Sequence, residues 1–533
     1  MHLKRTLIIG LGALMLLVLS SCSARPLNLW ASGADAQAAQ SGDIARRALA
    51  GTPAERTTML TIPVGAVDPT DPTVKPLLGV ISGPDPNGGF SAPNLTAQYQ
   101  EIGVLSVRNN DYYDDRLDME GIFNCGGPSY PSWEGCDPHD EANYHWGPSD
   151  AQFQSYLSGG LEPFLRLGGE WSNQQPPHDF KGPQNTVQED NWIVAAQKVA
   201  GRYLHWGGAE QTFRYLDLWT EFPGTHFWDR SGQAFVAFWA KAYAALKAAF
   251  PELKIGGPGF SGRETMKVLQ GNARWSRELL TELFDRGLKP DWLGWHLFNN
   301  DPSLWSQATE AYRQLLDGTG PYANMPWAGT GYFSDTEVIV DAYGLSKSNP
   351  DGSLLSSQER TQLYGSAQGA SLLTTAWIAM QYAQIERAYY YRGSPLGGSG
   401  GQRGNSRQDG GPGLFDVQGG YKPDAYAFRL WSQLYRQYPH LLQVELPAAD
   451  SDIPLWVLVA QNDGGGLALL ITNPAASSTT WTPTFADGSS LQDYQGQLYQ
   501  VDDQHDGRTA LPLEGEAVTT PGYSVQLLLL APR

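Results

Sequence analysis

YLDLWTEF, residues 215–222, is the stretch whose reading decides the fold. Leu216 and Leu218 alternate with Asp217, Trp219 and Glu221, the two-residue period of a strand whose faces differ. The apolar set can face a helix layer while the other set points inward. Working outward, similar short apolar runs alternate with longer stretches of helical period. The strand candidates are LLGVIS at 77–82, IGVLSVRNN at 102–110, LEPFLRLGG at 161–169 and YLDLWTEF itself, followed by LKIGGPGF at 253–260, DWLGWHLF at 291–298, PWAGTGYF at 326–333 and QIERAYYYR at 384–392. Helical patterns at 188–206, 231–250, 263–286, 303–316 and 357–382 fall between them. Eight strand–helix alternations predict a parallel sheet, and eight close naturally into a (β/α)8 TIM barrel. An open doubly wound sheet is the alternative, but no GxGxxG or phosphate-binding loop follows the first strand.

PDAYAFRLWSQLYRQ at 423–437 reads as the last barrel helix. Beyond it VELPA, PLWVLVAQ, GLALLITN, TWTPTF and YSVQLLLLA are short strands separated by turn residues, which predicts a small C-terminal β-sandwich. The expected division is a barrel over 58–440 and the β-sandwich over 441–533. Ahead of both, Lys4 and Arg5 precede an apolar run from Leu7 to Leu19, too short to span a bilayer and of the right length for a signal peptide. The run ends in Leu19-Ser20-Ser21-Cys22, which resembles a bacterial lipobox. Residues 1–21 are therefore expected to be a lipoprotein signal and Cys22 the lipidated residue. Residues 22–57, rich in Ala, Gly, Ser and Gln, would then form a flexible tether. This predicts an extracytoplasmic protein anchored to a bacterial membrane. Ser23, rather than Asp, points to the outer membrane if the cell is Gram-negative. Of three cysteines, Cys125 and Cys136 would remain as an even pair in an oxidising compartment, where a disulfide is expected.

The chain has 533 residues, 41% hydrophobic and only 17% charged, with a formal charge of −19. Such a chain buries a core over most of its length. Its acidic balance argues against nucleic acid and polybasic membrane binding, both of which need surplus Lys and Arg. His, Cys and Asp spacings match no zinc or EF-hand pattern, so neither metal nor cofactor is expected. No obligate protein partner is evident. The 18 Trp and 25 Tyr suit either an aromatic core or a surface that stacks on neutral sugar rings.

Functional groups of a TIM barrel stand at the C-terminal ends of its strands. Those ends hold Asn110, Asp111, Glu170, Glu221, His296, Thr330 to Tyr332, and Arg392. A carboxyl group aimed into a barrel mouth beside Trp is expected to hold its proton tightly, as a general acid requires; the alternative is a rim carboxylate paired with a cation. The Gly-rich stretch GGSGGQRGN at 397–405 would lie over the cleft.

LDLWTEFPGTHFW at 216–228, preceded by VAGRYLHWGGAEQTFRY at 199–215, resembles glycoside hydrolase family 39, which includes β-xylosidases and α-L-iduronidases. VRNNDYY at 107–113, PDWLGWHLFNNDP at 290–302, GLFDVQGGYKPDAYAF at 413–428 and PGYSVQLLLL near the C-terminus are similar to further family segments in the same order. The resemblance covers roughly residues 76–533. It implies a retaining barrel glycosidase fold, a carbohydrate substrate, and Glu221 as the acid/base at the end of strand four. The departures are specific. Thr220 stands for the family's Asn before the acid/base, Asn110 for its His, and Gly331 of Thr330-Gly331-Tyr332 for its nucleophilic Glu. Glycine cannot form a glycosyl-enzyme ester, so standard retention is excluded on that alignment.

Three explanations follow: an inverting hydrolase with Glu170, Asp111, Asp335 or Glu337 as base; a non-catalytic sugar-binding lipoprotein; or a slipped alignment with Glu337 as nucleophile. The expected site is Glu221 as catalytic acid, with Asp111, Glu170, Trp219, His296 and Tyr332 lining the sugar subsite.

Overall fold

The computed structural model describes residues 56–67, 72–84, 93–109, 117, 119–123, 136–169, 182–346, 348, 353–395, 411–444, 454–513 and 515–533. Cys22, Asn110, Asp111, Cys125, Glu170, the signal segment, most of the expected tether and the stretch 397–405 lie outside them.

The first strand, β1 (Arg56–Val67), is followed by eight parallel strands that close into a barrel. These are β2 (Gly79–Ile81), β3 (Ser106–Arg108), β4 (Glu162–Arg166), β5 (Tyr215–Asp217), β6 (Lys254–Gly256), β7 (Trp292–Phe298), β8 (Glu337–Gly344) and β9 (Arg387–Tyr390). Closure is made by β9 on β2, with Val80 opposite Tyr390. The connecting helices match the sequence pattern closely and begin at recognisable caps. Asn185 accepts from the Gln188 amide at the start of Thr186–Leu204, and Ser231 from that of Ala234 at the start of Gly232–Ala249.

The barrel is a packed core and not a pore. Ile81, Phe164, Tyr215, Trp292, Ile339, Ala342 and Tyr389 fill it. Room for the large rings comes from residues without side chains: a Cβ on Gly256 would stand 2.2 Å from the Trp292 carbonyl oxygen, and one on Gly79 2.8 Å from the Tyr389 ring. At the N-terminal face the core is sealed by charge. Glu162 accepts from Arg214 at 2.8 and 3.0 Å and from Arg387 at 3.0 Å. Tyr215 donates to Glu337 at 2.9 Å, and Lys254 also pairs with Glu337.

Strand seven of the barrel is not where the sequence placed it. PWAGTGYF, residues 326–333, is a run of turns, and the strand is β8, EVIVDAYG. Gly331 has φ +68°, the left-handed region that favours glycine, and its carbonyl accepts from the amide and hydroxyl of Ser334. It is a turn residue ahead of the strand, so it does not stand where a nucleophile would. The expectation that Gly331 replaces that nucleophile is corrected accordingly.

The C-terminal part also differs in detail. β10 (His440–Val444), β11 (Trp456–Gln461), β12 (Leu467–Asn473), β13 (Thr479–Phe485), β14 (Tyr494–Val501), β15 (Val518–Thr520) and β16 (Ser524–Pro532) form one eight-stranded sheet in the order β14-β16-β12-β11-β10-β1-β13-β15. The sheet curls over its own core, in which Val64, Val457, Leu469, Trp481 and Leu528 are buried together. β1 is part of it, antiparallel to β10 and parallel to β13. The segment assigned to the tether and the start of the barrel therefore belongs to the β-domain. Its other face joins the barrel: Leu470, Val525 and Leu527 lie in the same buried cluster as Trp377 and Trp431 of the last helices.

A shared core predicts shared unfolding. Leu527→Ala should cost about 2–5 kcal/mol and lower the melting of barrel and β-domain together. Two separate calorimetric transitions, with only one displaced, would contradict this.

Candidate active site

Glu221 follows β5 in a tight turn closed by the Gly224 amide on the Glu221 carbonyl at 2.5 Å. Its φ is +52°, a conformation that side-chain-bearing residues rarely adopt and that is concentrated at functional sites. Its side chain is one-third exposed, against none for Asp217 and Asp341. Of these three carboxylates at the upper strand ends, Glu221 alone reaches solvent.

His296, on β7, is buried and contacts a carboxylate at each ring nitrogen. Nδ1 lies 3.3 Å from Glu221 Oε1, and Nε2 lies 3.3 Å from Asp341 Oδ2. Asp341 points inward from β8 and stands at a bulge: His296 pairs with Ala342 while Trp295 pairs with Val340, leaving Asp341 as the extra residue and bringing Ala342 into the barrel core beside it. Beneath them Arg108 of β3 donates to Asp217 through Nε at 3.1 Å and Nη2 at 2.6 Å, to Thr220 at 3.1 Å, and pairs with Asp341 at 3.2 Å. Next to it Arg166 donates to the carbonyls of Gly168 and Gly169, and Asn109 bridges to the Arg166 backbone in both directions. The upper barrel is thus a chain of charge running from buried Asp217 to the half-open Glu221.

Burial alone would discharge His296, but the Asp341 carboxylate and then Glu221 outweigh it and push the imidazole up to about 9. At neutral pH both ring nitrogens carry protons, and both carboxylates accept. Asp341 is held below the usual carboxylate range, because His296 and Arg108 together overcome its burial. Asp217 is raised: burial, reinforced by Asp341, exceeds what Arg108 returns. The His296 ring thus faces Glu221 on one side and Asp341 on the other.

The remaining predicted residues divide. His296 is at the site. Trp219 is not: the strand ends at Asp217, and the Trp219 ring turns outward, fully buried among Trp192, Trp228, Phe235 and Phe238. Tyr332 is also elsewhere, ahead of β8 at the N-terminal face, where it packs edge-on against Phe284 and Phe333. Glu337 and Asp335 share that face; the first is held by Lys254 and Tyr215, the second by Lys289 at 2.7 Å, so neither can serve as base or nucleophile at the opposite end. Asp111 and Glu170 lie outside the described residues. Cys136 is buried and disulfide-bonded, with Cys125 outside them.

Sequence reasoning missed Asp341, and Phe298 and Tyr391, which meet edge-to-face at 5.8 Å over Ala342 at the barrel mouth. Phe298 ends the strand-like run DWLGWHLF and Tyr391 is the penultimate residue of QIERAYYYR, which is the signal the sequence offers. Among the described residues no group of three or more His, Cys, Asp or Glu could hold a metal ion, and no helix is long and apolar enough to cross a membrane.

The chain matches no protein-family model and no curated protein sequence. Its similarity is to solved structures. A glucosidase from Croceicoccus marinus superposes with a TM-score of 0.66 at 18% identity, covering 89% of this chain and 99% of that one. A monomeric beta-xylosidase from Caulobacter crescentus gives 0.61 at 16%, covering 89% and 99%. The GH39 enzyme from Xanthomonas axonopodis pv. citri gives 0.60 at 16%, covering 90% and 98%. The chain has a glycoside hydrolase-like fold. At these identities the likeness extends to the barrel and its β-domain, and carries no residue roles.

Two predictions follow from the local environments. His296 gains its proton affinity on folding, so its contribution to stability is complete below its ordinary value of 6.5 and is lost as pH rises through about 9. The unfolding free energy of the native chain should exceed that of His296→Gln by a few kcal/mol near pH 6, with the gap closing in alkaline urea titrations. Trp219→Ala should behave as a core truncation, costing about 3–5 kcal/mol, and any sugar affinity should persist in the folded fraction. A binding loss without destabilisation would restore Trp219 to the sugar site.

Proposed function

We propose that the protein hydrolyses O-glycosidic bonds of an oligo- or polysaccharide outside the cytoplasm, with Glu221 as the carboxyl group that donates the proton to the leaving oxygen. The observation that carries this reading is the position of Glu221: a partly exposed carboxylate in a left-handed turn after strand four, in contact with His296 of β7 at the upper end of the barrel. A sugar ring is apolar on its faces and polar at its edge, so it can lie against Phe298 and Tyr391 and meet Glu221 with a glycosidic oxygen. The likeness to a glucosidase and to xylosidases supports a carbohydrate as substrate.

Asp341 does not supply the second carboxyl group in this reading. It has no exposed surface, and the His296 ring stands between it and Glu221. Retention needs two carboxyls about 5–5.5 Å apart that face the same sugar. The partner is assigned instead to Glu170 or Asp111, which leaves inversion as the expected stereochemistry. The second reading, a sugar-binding protein without turnover, is favoured by the same burial of Asp341 and by Ala342 beside it. We also assign the chain a lipid anchor at Cys22 and a Cys125–Cys136 disulfide, as the signal-like N-terminus suggests. Cys22→Ala should release the chain from the membrane fraction.

The deciding experiment incubates the purified chain and Glu221→Gln with plant, mucin and bacterial glycans, following products by NMR. Hydrolysis that falls by at least a thousandfold in Glu221→Gln, with inverted anomers, is the expected result. Binding without product in either protein would sink the hydrolase and leave the binder.

A further inference from the structure

We propose that Asp341 is a positioning residue: its carboxylate fixes the His296 ring and keeps it a double donor, so that Nδ1 always presents a proton to Glu221. The backbone is shaped around this carboxylate. Alternation from Ile339 and Val340 turns Asp341 inward, and the bulge there brings Ala342 inward beside it before Tyr343 returns to the helix layer. A glycine in the turn after β6 and another in β7 make room for the carboxylate by lacking side chains. A Cβ on Gly259 would lie 2.4 Å from Asp341 Oδ2 and 3.1 Å from His296 Nε2; one on Gly294 would lie 2.7 Å from Asp341 Oδ1. Three elements thus converge on a carboxylate that no substrate can touch.

The electrostatics fit that role. Three charged groups other than Asp341 surround the His296 ring or its anchor: Glu221 from the turn after β5, Asp217 from β5 and Arg108 from β3. Arg108 pairs with Asp217 and with Asp341, so it keeps Asp341 ionised without displacing it from His296. An imidazole with one nitrogen fixed has one direction left for the other, and here that direction is Glu221 Oε1 at 3.3 Å. A group that orients a histidine in this way acts through it, and need not contact the reacting atoms. Asp341 Oδ2 serves both His296 and Arg108, and among the described residues no hydrogen-bond partner meets Oδ1, so the holding is done by Oδ2.

The inference rests on Glu221 being the working carboxylate, but its test does not depend on turnover. The nitrogen-bound proton signals of His296, assigned by their absence in His296→Gln, are titrated by NMR in the full chain. In the native protein the midpoint is expected near 9. Asp341→Asn, which keeps the shape and removes the charge, should lower it by about 1–3 pH units. In Glu221→Gln the midpoint should stay above the ordinary 6.5, since Asp341 still holds the ring. An unchanged midpoint in Asp341→Asn, or a midpoint at or below 6.5 in Glu221→Gln, overturns the proposal; the second arm decides even if Asp341→Asn fails to fold. Where a glycan is hydrolysed, Asp341→Asn should lower kcat more than it raises KM. Absence of turnover in every protein, with these titrations as expected, would refute the hydrolase and leave the positioning role standing.

Discussion

A guanidinium with no access to water sits at the centre of the barrel's upper half. Arg108 cannot be buried bare, because desolvating an isolated charge costs far more than a fold can supply. Asp217 and Asp341 answer it, and His296 answers the surplus negative charge. Two cations and two anions make a buried quartet from four strands, with Glu221 at its outer edge. The upper barrel is therefore organised by charge balance, whereas its lower half is organised by aromatic packing and closed by a second, more exposed set of ion pairs around Glu162 and Glu337. Removing one member of the quartet would weaken the pairing of the others, which ties the local geometry of four strands to one another.

This arrangement bears on what the site can do. A carboxylate next to a histidine ring that is held from its other side is oriented, while the aromatic pair of Phe298 and Tyr391 presents a surface without charge. The site thus combines one polar contact of defined direction with apolar contact of low specificity. The seventh barrel strand, β8, contributes an acid sunk below the surface, Asp341, and then Ala342.

Much of the architecture was legible in the residues because it depends on periodicity. Seven barrel strands, most of the longer helices from Thr186–Leu204 onward and the last helix follow from alternation and helical spacing, whereas the helices Thr96–Ile102 and Trp146–Ser158 do not. Glu221 and His296 were legible because each lies near the C-terminal end of an alternating run. Strand seven was missed for a physical reason: the bulge at Asp341 breaks the two-residue rhythm of EVIVDAYG, while PWAGTGYF upstream offers aromatic residues between turn glycines and so imitates a strand. Displacing that one element created the false substitution at Gly331 and moved Tyr332 to the wrong end of the barrel. Trp219 was misplaced because alternation was extended two residues past the point where β5 ends. No local pattern marks the quartet, since Arg108, Asp217, His296 and Asp341 come together only when the ring closes.

The first described strand, β1, has no partner among its neighbours in sequence. Val64 pairs with Val444, and Arg56 with Thr479. Everything between is the barrel, so the barrel is an insertion within the sheet. A chain synthesised from its N-terminus must keep β1 unpaired until the barrel and the strands after it have emerged, exposing a β-prone edge for nearly the whole of synthesis. β1 can take its place between β10 and β13 only once both of those strands have emerged. Both ends of the folded body then belong to the same sheet, which makes that sheet the clasp that locks the ring.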